Sequence, residues 1–209
     1  SQRAVLDASL RDLGRMRKWV TRRLMASCFP RADAVISNSH AAARELSLCL
    51  GIPSEKIFTI QNAVDVSRIV RLAGEPLESA TVLDKTIPLL VSVGSLTKRK
   101  DMGTLIRSFH LVVSRCPAQL VIVGKGPERP ALESLIEELG LRASAHFAGF
   151  DDNPYRWIAA ASVFISASTA EGFPNVVAEA LALGCPVVAT DCPGDTAELM
   201  GHGRWGRLV

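Results

Sequence analysis

Aromatic residues are scarce in this sequence: three tryptophans, one tyrosine and seven phenylalanines in 209 positions. They do not interleave with the basic residues, which argues against a stacking surface for nucleic acid. The five cysteines, Cys28, Cys49, Cys116, Cys185 and Cys192, are odd in number and scattered, with no C-x-x-C pair. That excludes a disulfide framework or a cysteine zinc site, fits a reducing cytosol, and makes most of them small core residues. The four histidines, at 40, 110, 146 and 202, lie far apart and form no H-E-x-x-H, so no metal centre is expected. No apolar run approaches the roughly 18 residues that span a bilayer. The first ten residues carry Arg3 and Asp7 and do not read as a signal peptide. With no initiator methionine, the chain is expected to be processed or cut from something longer. A lysine-bearing phosphate loop and a G-x-S-x-G elbow are absent. Gly124-Lys125-Gly126 only begins a G-x-G-x-x-G, because Arg129 stands at the third glycine position.

What is present is an ordinary soluble composition, 48% hydrophobic, with 24 basic and 21 acidic side chains. The length suits one complete domain and part of another, with a core that needs no disulfides. The charge is uneven. Residues 1–24 hold Arg3, Arg11, Arg15, Arg17, Lys18, Arg22 and Arg23 against Asp7 and Asp12. A basic helix there fits either an anionic membrane surface or a plain solvated face.

Residues 4–27 carry apolar side chains at helical spacing. A short strand follows at 34–37, then a helix capped by Ser39 and stopped by Gly51-Ile52-Pro53, then a strand at 57–60. The polar stretch from Asn62 to about Ile87 reads as irregular, and it is the natural boundary. From Pro88 onward, apolar runs at 88–93, 119–123, 145–150, 163–167 and 186–189 alternate with helical patterns at 102–115, 128–139, 153–161 and 174–183. That alternation predicts an α/β domain, a doubly wound parallel sheet with helices on both faces.

Ligands of such sheets bind beyond the carboxyl ends of the strands. The segments expected there are Gly94 to Lys100, Gly124 to Pro127, Gly149 to Asp152, Ser168 to Asn175 and Thr190-Asp191. Glycines Gly94, Gly124 and Gly126 permit close backbone approach, although Gly124-Lys125-Gly126-Pro127 also fits a plain strand-to-helix turn. Of Lys98, Arg99 and Lys100, one cation facing the cleft would serve a diphosphate. Glu171 and Glu179 draw meaning from context. Pro174 suits the first position of a helix, and Asn175 and Glu179 then share a face. The free amides of that helix start can hold a phosphate, and a carboxylate one turn further in can hold a ribose diol. This edge suits a nucleotide diphosphate sugar.

The run from Glu171 to Asp191, EGFPNVVAEALALGCPVVATD, resembles the signature of family-4 retaining glycosyltransferases of the GT-B fold. The resemblance continues in order through Asn62-Ala63-Val64-Asp65, Val93-Gly94-Ser95-Leu96, Val123 to Pro127, Gly149-Phe150 and Gly194 to Glu198, and covers about residues 30 to 209. It implies that Glu171 and Glu179 are the two glutamates of an E-x7-E motif, the first beside the donor sugar and the second on the ribose. It implies that Lys100 neutralises the diphosphate, with Glu171 and Lys100 as the catalytic pair. Gly94, Ser95, Gly124, Phe150, Asp151, Gly172, Phe173, Pro174, Asn175 and Val176 complete the implied donor site, with Phe150 and Asp151 at the base. Ser95 departs from the arginine that many members carry there, and Glu198 falls at a further acidic position near the cleft.

The resemblance further implies two domains. Residues 1–65 would be the end of an N-terminal, acceptor-side domain, and 66–209 a donor-binding domain truncated at its end. The implied activity is transfer of a hexose, with retention, to a glycan or lipid-linked acceptor. It would need no metal or other cofactor, and would act in the cytoplasm, at the inner face of an anionic membrane where α-helical basic residues could sit. The chain alone would be inactive. The alternatives are a non-catalytic nucleotide-sugar binding module, an inactive fragment, or a sugar-nucleotide epimerase.

Overall fold

The computed structural model describes residues 14–77, 84 and 86–209. Helix α1 (Arg15–Cys28) covers the later part of the expected basic helix; residues 4–13 lie outside the described residues. None of its residues is buried, and Met16, Trp19 and Leu24 are exposed. Strands β1 (Val35–Ser37) and β2 (Ile57–Thr59) pair in parallel, Val35 opposite Ile57 and Ser37 opposite Thr59. The crossover between them is α2 (His40–Leu50). Ser39 caps it with extended backbone and an oxygen that accepts from the Ala42 amide, and Gly51 ends it in the left-handed region at φ 65°. Both ends follow from side-chain chemistry: a hydroxyl for the orphan amides, and no Cβ where φ is positive.

The stretch 62–87 is not irregular throughout. It contains α3 (Val66–Ala73), capped by the Asp65 carboxylate, which accepts from the Arg68 amide. Only Ile69 of this helix is buried, and Val66 and Val70 are exposed. Its C-terminal turn is held by Asn153, whose Nδ2 donates to the Leu72 carbonyl at 2.9 Å.

The main sheet comprises β3 (Leu89–Val93), β4 (Gln119–Val123), β5 (Ala145–Gly149), β6 (Val163–Ser166), β7 (Val187–Ala189) and β8 (Arg207–Leu208). All pairs are parallel and the order is β5-β4-β3-β6-β7-β8. Helices α4 (Met102–Val113), α5 (Arg129–Glu138), α6 (Tyr155–Ala160), α7 (Asn175–Ala182) and α8 (Thr196–Leu199) complete the domain. Strand β4 shows why both faces are covered. Leu120 and Ile122 pack with Ile106, Phe109 and Leu135 of α4 and α5. Val121 and Val123 pack with Trp157, Ile158 and Val177 of α6 and α7. Alternate side chains enter opposite cores, so the strand must be apolar throughout.

Two further expectations need correcting. Only Cys185 and Cys192 are buried, while Cys28 and Cys116 are exposed and Cys49 is half-buried. Cys28 ends a helix without buried residues, and Cys116 sits in the turn after α4, so neither position has a core to enter. Strand β8 and helix α8 were not anticipated, being two and four residues long. The strand order places the topological switch between β3 and β6. The loops after those two strands must therefore diverge from a common crevice.

Candidate functional site

The loop after β3 closes as a tight turn at Lys98–Lys100, and Asp101 follows in the left-handed region at φ 44°. The Asp101 carboxylate accepts from the Thr104 amide at 3.2 Å and so starts α4. This geometry lays the Lys100 stem across Gly94, where an added Cβ would come within 3.4 Å of the lysine Cε. The loop after β6 is bound to the same turn, the Thr169 amide donating to the Arg99 carbonyl at 2.8 Å.

Glu171 lies between these loops and is 6% exposed. Its Oε1 accepts from Lys100 Nζ and, at 2.7 Å, from Ser168 Oγ. Its Oε2 accepts from Arg99 Nη1 at 2.7 Å. The same guanidinium nitrogen also donates to the Ala170 carbonyl at 3.1 Å. Burial pushes the Glu171 pKa up, but the two cations and the hydroxyl outweigh it and hold the group below its ordinary value. The stability from this cluster is therefore present above the unfolded value of 4.5 and is lost as pH falls through the lower folded value. Lys98, by contrast, is exposed.

Pro174 is the cap of α7 rather than its first residue, and no side chain caps the first turn. Asn175 and Glu179 share one face and line a cavity of about 360 Å³ with Asn62, Asp65, Arg68 and Tyr155. Asn62 Nδ2 donates to Asn175 Oδ1 at 2.8 Å, and Tyr155 donates weakly to Glu179 at 3.4 Å. Burial raises the Glu179 pKa, and the tyrosine offsets only part of that.

A second groove of about 350 Å³ is lined by Gly94, Ser95, Gly124, Lys125, Phe150 and Asp151, among others. The Phe150 ring is 60% exposed, and Lys125 Nζ stands 4.3 Å from its centroid. Asp151 offers little free acceptor capacity. It receives the Asn153 amide at 2.8 Å, Arg156 Nη2 at 3.1 Å and Trp157 Nε1 at 2.8 Å. Burial raises its pKa, yet these partners hold it below the usual range. Gly124 has a structural reason of its own: φ is +147°, and a Cβ would stand 1.9 Å from the Gly94 carbonyl oxygen. The glycines let the loops after β3 and β4 touch, with the Leu96 amide donating to the Lys125 carbonyl at 3.0 Å.

The structure thus gathers Gly94, Arg99, Lys100 and Glu171 at the crevice, with Gly172, Phe173 and Pro174 leading from them into α7. Ser95, Gly124, Phe150 and Asp151 form the neighbouring groove, and Asn175 and Glu179 the cavity beyond, with Val176 half-buried between them on α7. Three participants were not singled out from sequence. Ser168 and Tyr155 touch the two glutamates, and Asp195 touches α2 at Ser39. Ser168 precedes Glu171 by three residues, a turn spacing that could have flagged it. Glu198 lies beside His40, at 3.7 Å. Among the described residues no group of three or more His, Cys, Asp or Glu side chains could hold a metal ion.

Residues 87–209 match the family model described as glycosyl transferases group 1, and residues 4–68 match that of Glycosyltransferase Family 4. The chain is 36% identical over 190 residues to N-acetylgalactosamine-N,N'-diacetylbacillosaminyl-diphospho-undecaprenol 4-alpha-N-acetylgalactosaminyltransferase of Campylobacter jejuni, covering 91% of this chain and 50% of that protein. It is 32% identical over 169 residues to the lipopolysaccharide core biosynthesis glycosyltransferase LpsE of Rhizobium meliloti, covering 80% and 47%. The crystal structure of Anabaena Alr3699/HepE in complex with UDP-glucose superimposes with a TM-score of 0.73 at 25% identity, over 91% of this chain and 53% of that one. The chain spans about half the length of the relatives it matches. The fold is that of a GT-B glycosyltransferase, with its Rossmann-like parallel sheet.

The two glutamates have opposite consequences for stability. Glu179 holds its proton longer folded than unfolded, so its ionisation costs stability as pH rises through its folded value. Glu179→Gln should therefore raise the urea midpoint at neutral pH, and the gain should vanish below about pH 4, where the parent glutamate is itself protonated. A midpoint that does not rise at pH 7 would show that the carboxylate carries no burial penalty.

Proposed function

We propose, on the premise that this chain belongs to the glycosyl transferases group 1 family, that it binds the nucleotide diphosphate sugar of a retaining hexosyltransferase. The acceptor would be a glycan or a lipid-linked saccharide, in polysaccharide or glycoconjugate biosynthesis. The proposed division is 1–65 on the acceptor side and 66–209 on the donor side. The observation that carries this reading is the buried Glu171 carboxylate held between Lys100 and Arg99 just before α7. Two supports stand beside it: the relative's printed acceptor type, a diphospho-undecaprenol saccharide, and the UDP-glucose held by the structural neighbour.

In this reading an incoming diphosphate competes with Glu171 for the two cations. Lys100 and Arg99 turn toward phosphate oxygens, and the start of α7, which has no side-chain cap, adds the partial positive charge of its dipole. Glu171 is then free to face the sugar. A carboxylate there orients hydroxyls and stabilises positive charge developing at the anomeric carbon, while the cations stabilise the departing diphosphate. Glu179 accepts from the ribose hydroxyls in place of Tyr155, and Phe150 offers its exposed face to the base. Asp151 shapes that loop through its three partners. We assign no metal or other cofactor to the reaction.

Charge developing at the anomeric carbon exists mainly in the transition state, so the glutamates should separate kinetically. In the full-length protein, Glu171→Gln should lower kcat by roughly 10²-fold or more while nucleoside diphosphate binding is retained or tightened. Glu179→Ala should weaken binding instead, by up to about 1.5–3 kcal/mol per lost hydrogen bond. Steady-state kinetics and calorimetry decide it. Parental turnover in Glu171→Gln would leave a nucleotide-sugar binding module as the better reading.

We further propose a cytoplasmic protein that meets an anionic membrane through α1, where exposed Met16, Trp19 and Leu24 share a helix with Arg15, Arg17 and Arg23. Among the described residues no helix is long and apolar enough to cross a membrane. Sedimentation should show binding to anionic vesicles that weakens as salt rises from 0.05 to about 0.5 M. Equal binding to neutral vesicles, or none to either, would assign α1 to solvent or to protein.

A further inference from the structure

Asp195 is 1% exposed and sits at the start of α8, yet its carboxylate belongs to a helix about 150 residues away. Its Oδ1 accepts from Ser39 Oγ at 3.0 Å and from the Ala41 amide at 2.9 Å, and its Oδ2 accepts from the His40 amide at 2.9 Å. Ser39 Oγ in turn accepts from the Ala42 amide at 3.0 Å. Three successive amides of the first turn of α2 are thus satisfied by one hydroxyl and one carboxylate from a distant loop. A negative charge at a helix start is also favoured by the helix dipole.

The other side of the same loop grips Glu171. The Glu171 amide donates to the Pro193 carbonyl at 2.9 Å, and the Asp195 amide donates to the Gly172 carbonyl at 3.1 Å. Between them Gly194 has φ +135°, and a Cβ there would stand 1.7 Å from the Glu171 carbonyl oxygen. No side chain fits that gap. The nearby contact of His40 with Glu198 joins half-exposed groups and adds little. The loop 193–195 is therefore wedged between α2, in the segment matched by one family model, and the Glu171 loop, in the segment matched by the other.

We propose that Asp195 is a positioning residue, a latch that couples docking of the β1–α2–β2 unit to the placement of Glu171. The coupling to catalysis rests on the role proposed above for Glu171; the latch itself does not. When α2 is seated, its first-turn amides fix the carboxylate, and the backbone pairing carries that register to the glutamate. A displacement of about 1 Å at a reacting group is enough to cost up to 10²-fold in rate.

The test compares Asp195→Ala and Asp195→Asn with the parent in the full-length protein, by amide hydrogen exchange, nucleoside diphosphate calorimetry and steady-state kinetics. In Asp195→Ala the His40 and Ala41 amides should lose at least about tenfold in protection while core amides such as Ile106 and Val121 keep theirs. Asp195→Asn, with one acceptor oxygen left, should fall between. The nucleoside diphosphate dissociation constant should stay within about twofold, and kcat should fall about tenfold. Unchanged exchange at His40 and Ala41 would overturn the latch. Loss of protection throughout the core would reduce Asp195 to a folding residue, and parental kcat despite a released α2 would overturn the coupling. Were the parent to bind no nucleoside diphosphate, the reading of Glu171 would fall, and the exchange pattern would still decide the latch.

Discussion

A carboxylate that is almost wholly buried must be compensated, and the crevice of this protein is arranged around that requirement. Removing an ionised group from water costs several kcal/mol unless charges and donors replace the solvent. Glu171 obtains two cations and a hydroxyl, all from loops that follow neighbouring strands. Lys100 can reach it because Gly94 leaves room for its stem, and Arg99 because Thr169 binds its carbonyl. A purely structural ion cluster buried this way is weak evidence for stability, since apolar residues of similar volume often do as well. It stands at the switch point of a parallel sheet, before a helix with no side-chain cap, which is why we propose a binding role for it.

The close loop approaches belong to the same design. Gly124 against Gly94 and Gly194 against Glu171 are contacts in which a side chain would collide with a backbone carbonyl. They bring the loops after β3, β4, β6 and β7 into one rim. The opposed pKa shifts on that rim are informative. Glu171, surrounded by cations, is held ionised, whereas Glu179, buried beside a tyrosine, resists ionisation. One carboxylate is compensated by cations and a hydroxyl, and the other is desolvated with a single weak donor.

The parallel sheet was legible in the sequence because its strands are buried on both faces and therefore read as continuous apolar runs. The Ser39 cap and the Gly51 stop were legible because each follows from a single residue's chemistry. Helix α3 does carry apolar residues at helical spacing, Val66, Ile69 and Val70, but within a polar stretch that masked them, and the two-residue β8 is too short to leave a trace. Glu171 and Glu179 stood out through the helix start at Pro174 and Asn175, and Lys100 was chosen among three cations by resemblance. Arg99 was visible only as one cation among three, and its choice over Lys98 depends on how the turn closes. Asp195 fell inside the Gly194 to Glu198 run, but its capping role could not be read: its partners lie in another part of the chain, and a residue that caps a distant helix has no local signature. The cysteines misled because burial by residue type is a tendency, and Cys28 and Cys116 lie where there is no interior.

The central claim is that the cations holding Glu171 are those that meet a diphosphate when the donor binds. The direct measurement is a crystal structure of the full-length protein with a nucleoside diphosphate, read at Lys100 Nζ. The expected result is Nζ at about 2.7–2.9 Å from a phosphate oxygen, its bond to Glu171 lengthened or broken, and the ribose hydroxyls on Glu179. A nucleotide bound elsewhere, with Lys100 and Arg99 still clasping Glu171, would contradict it.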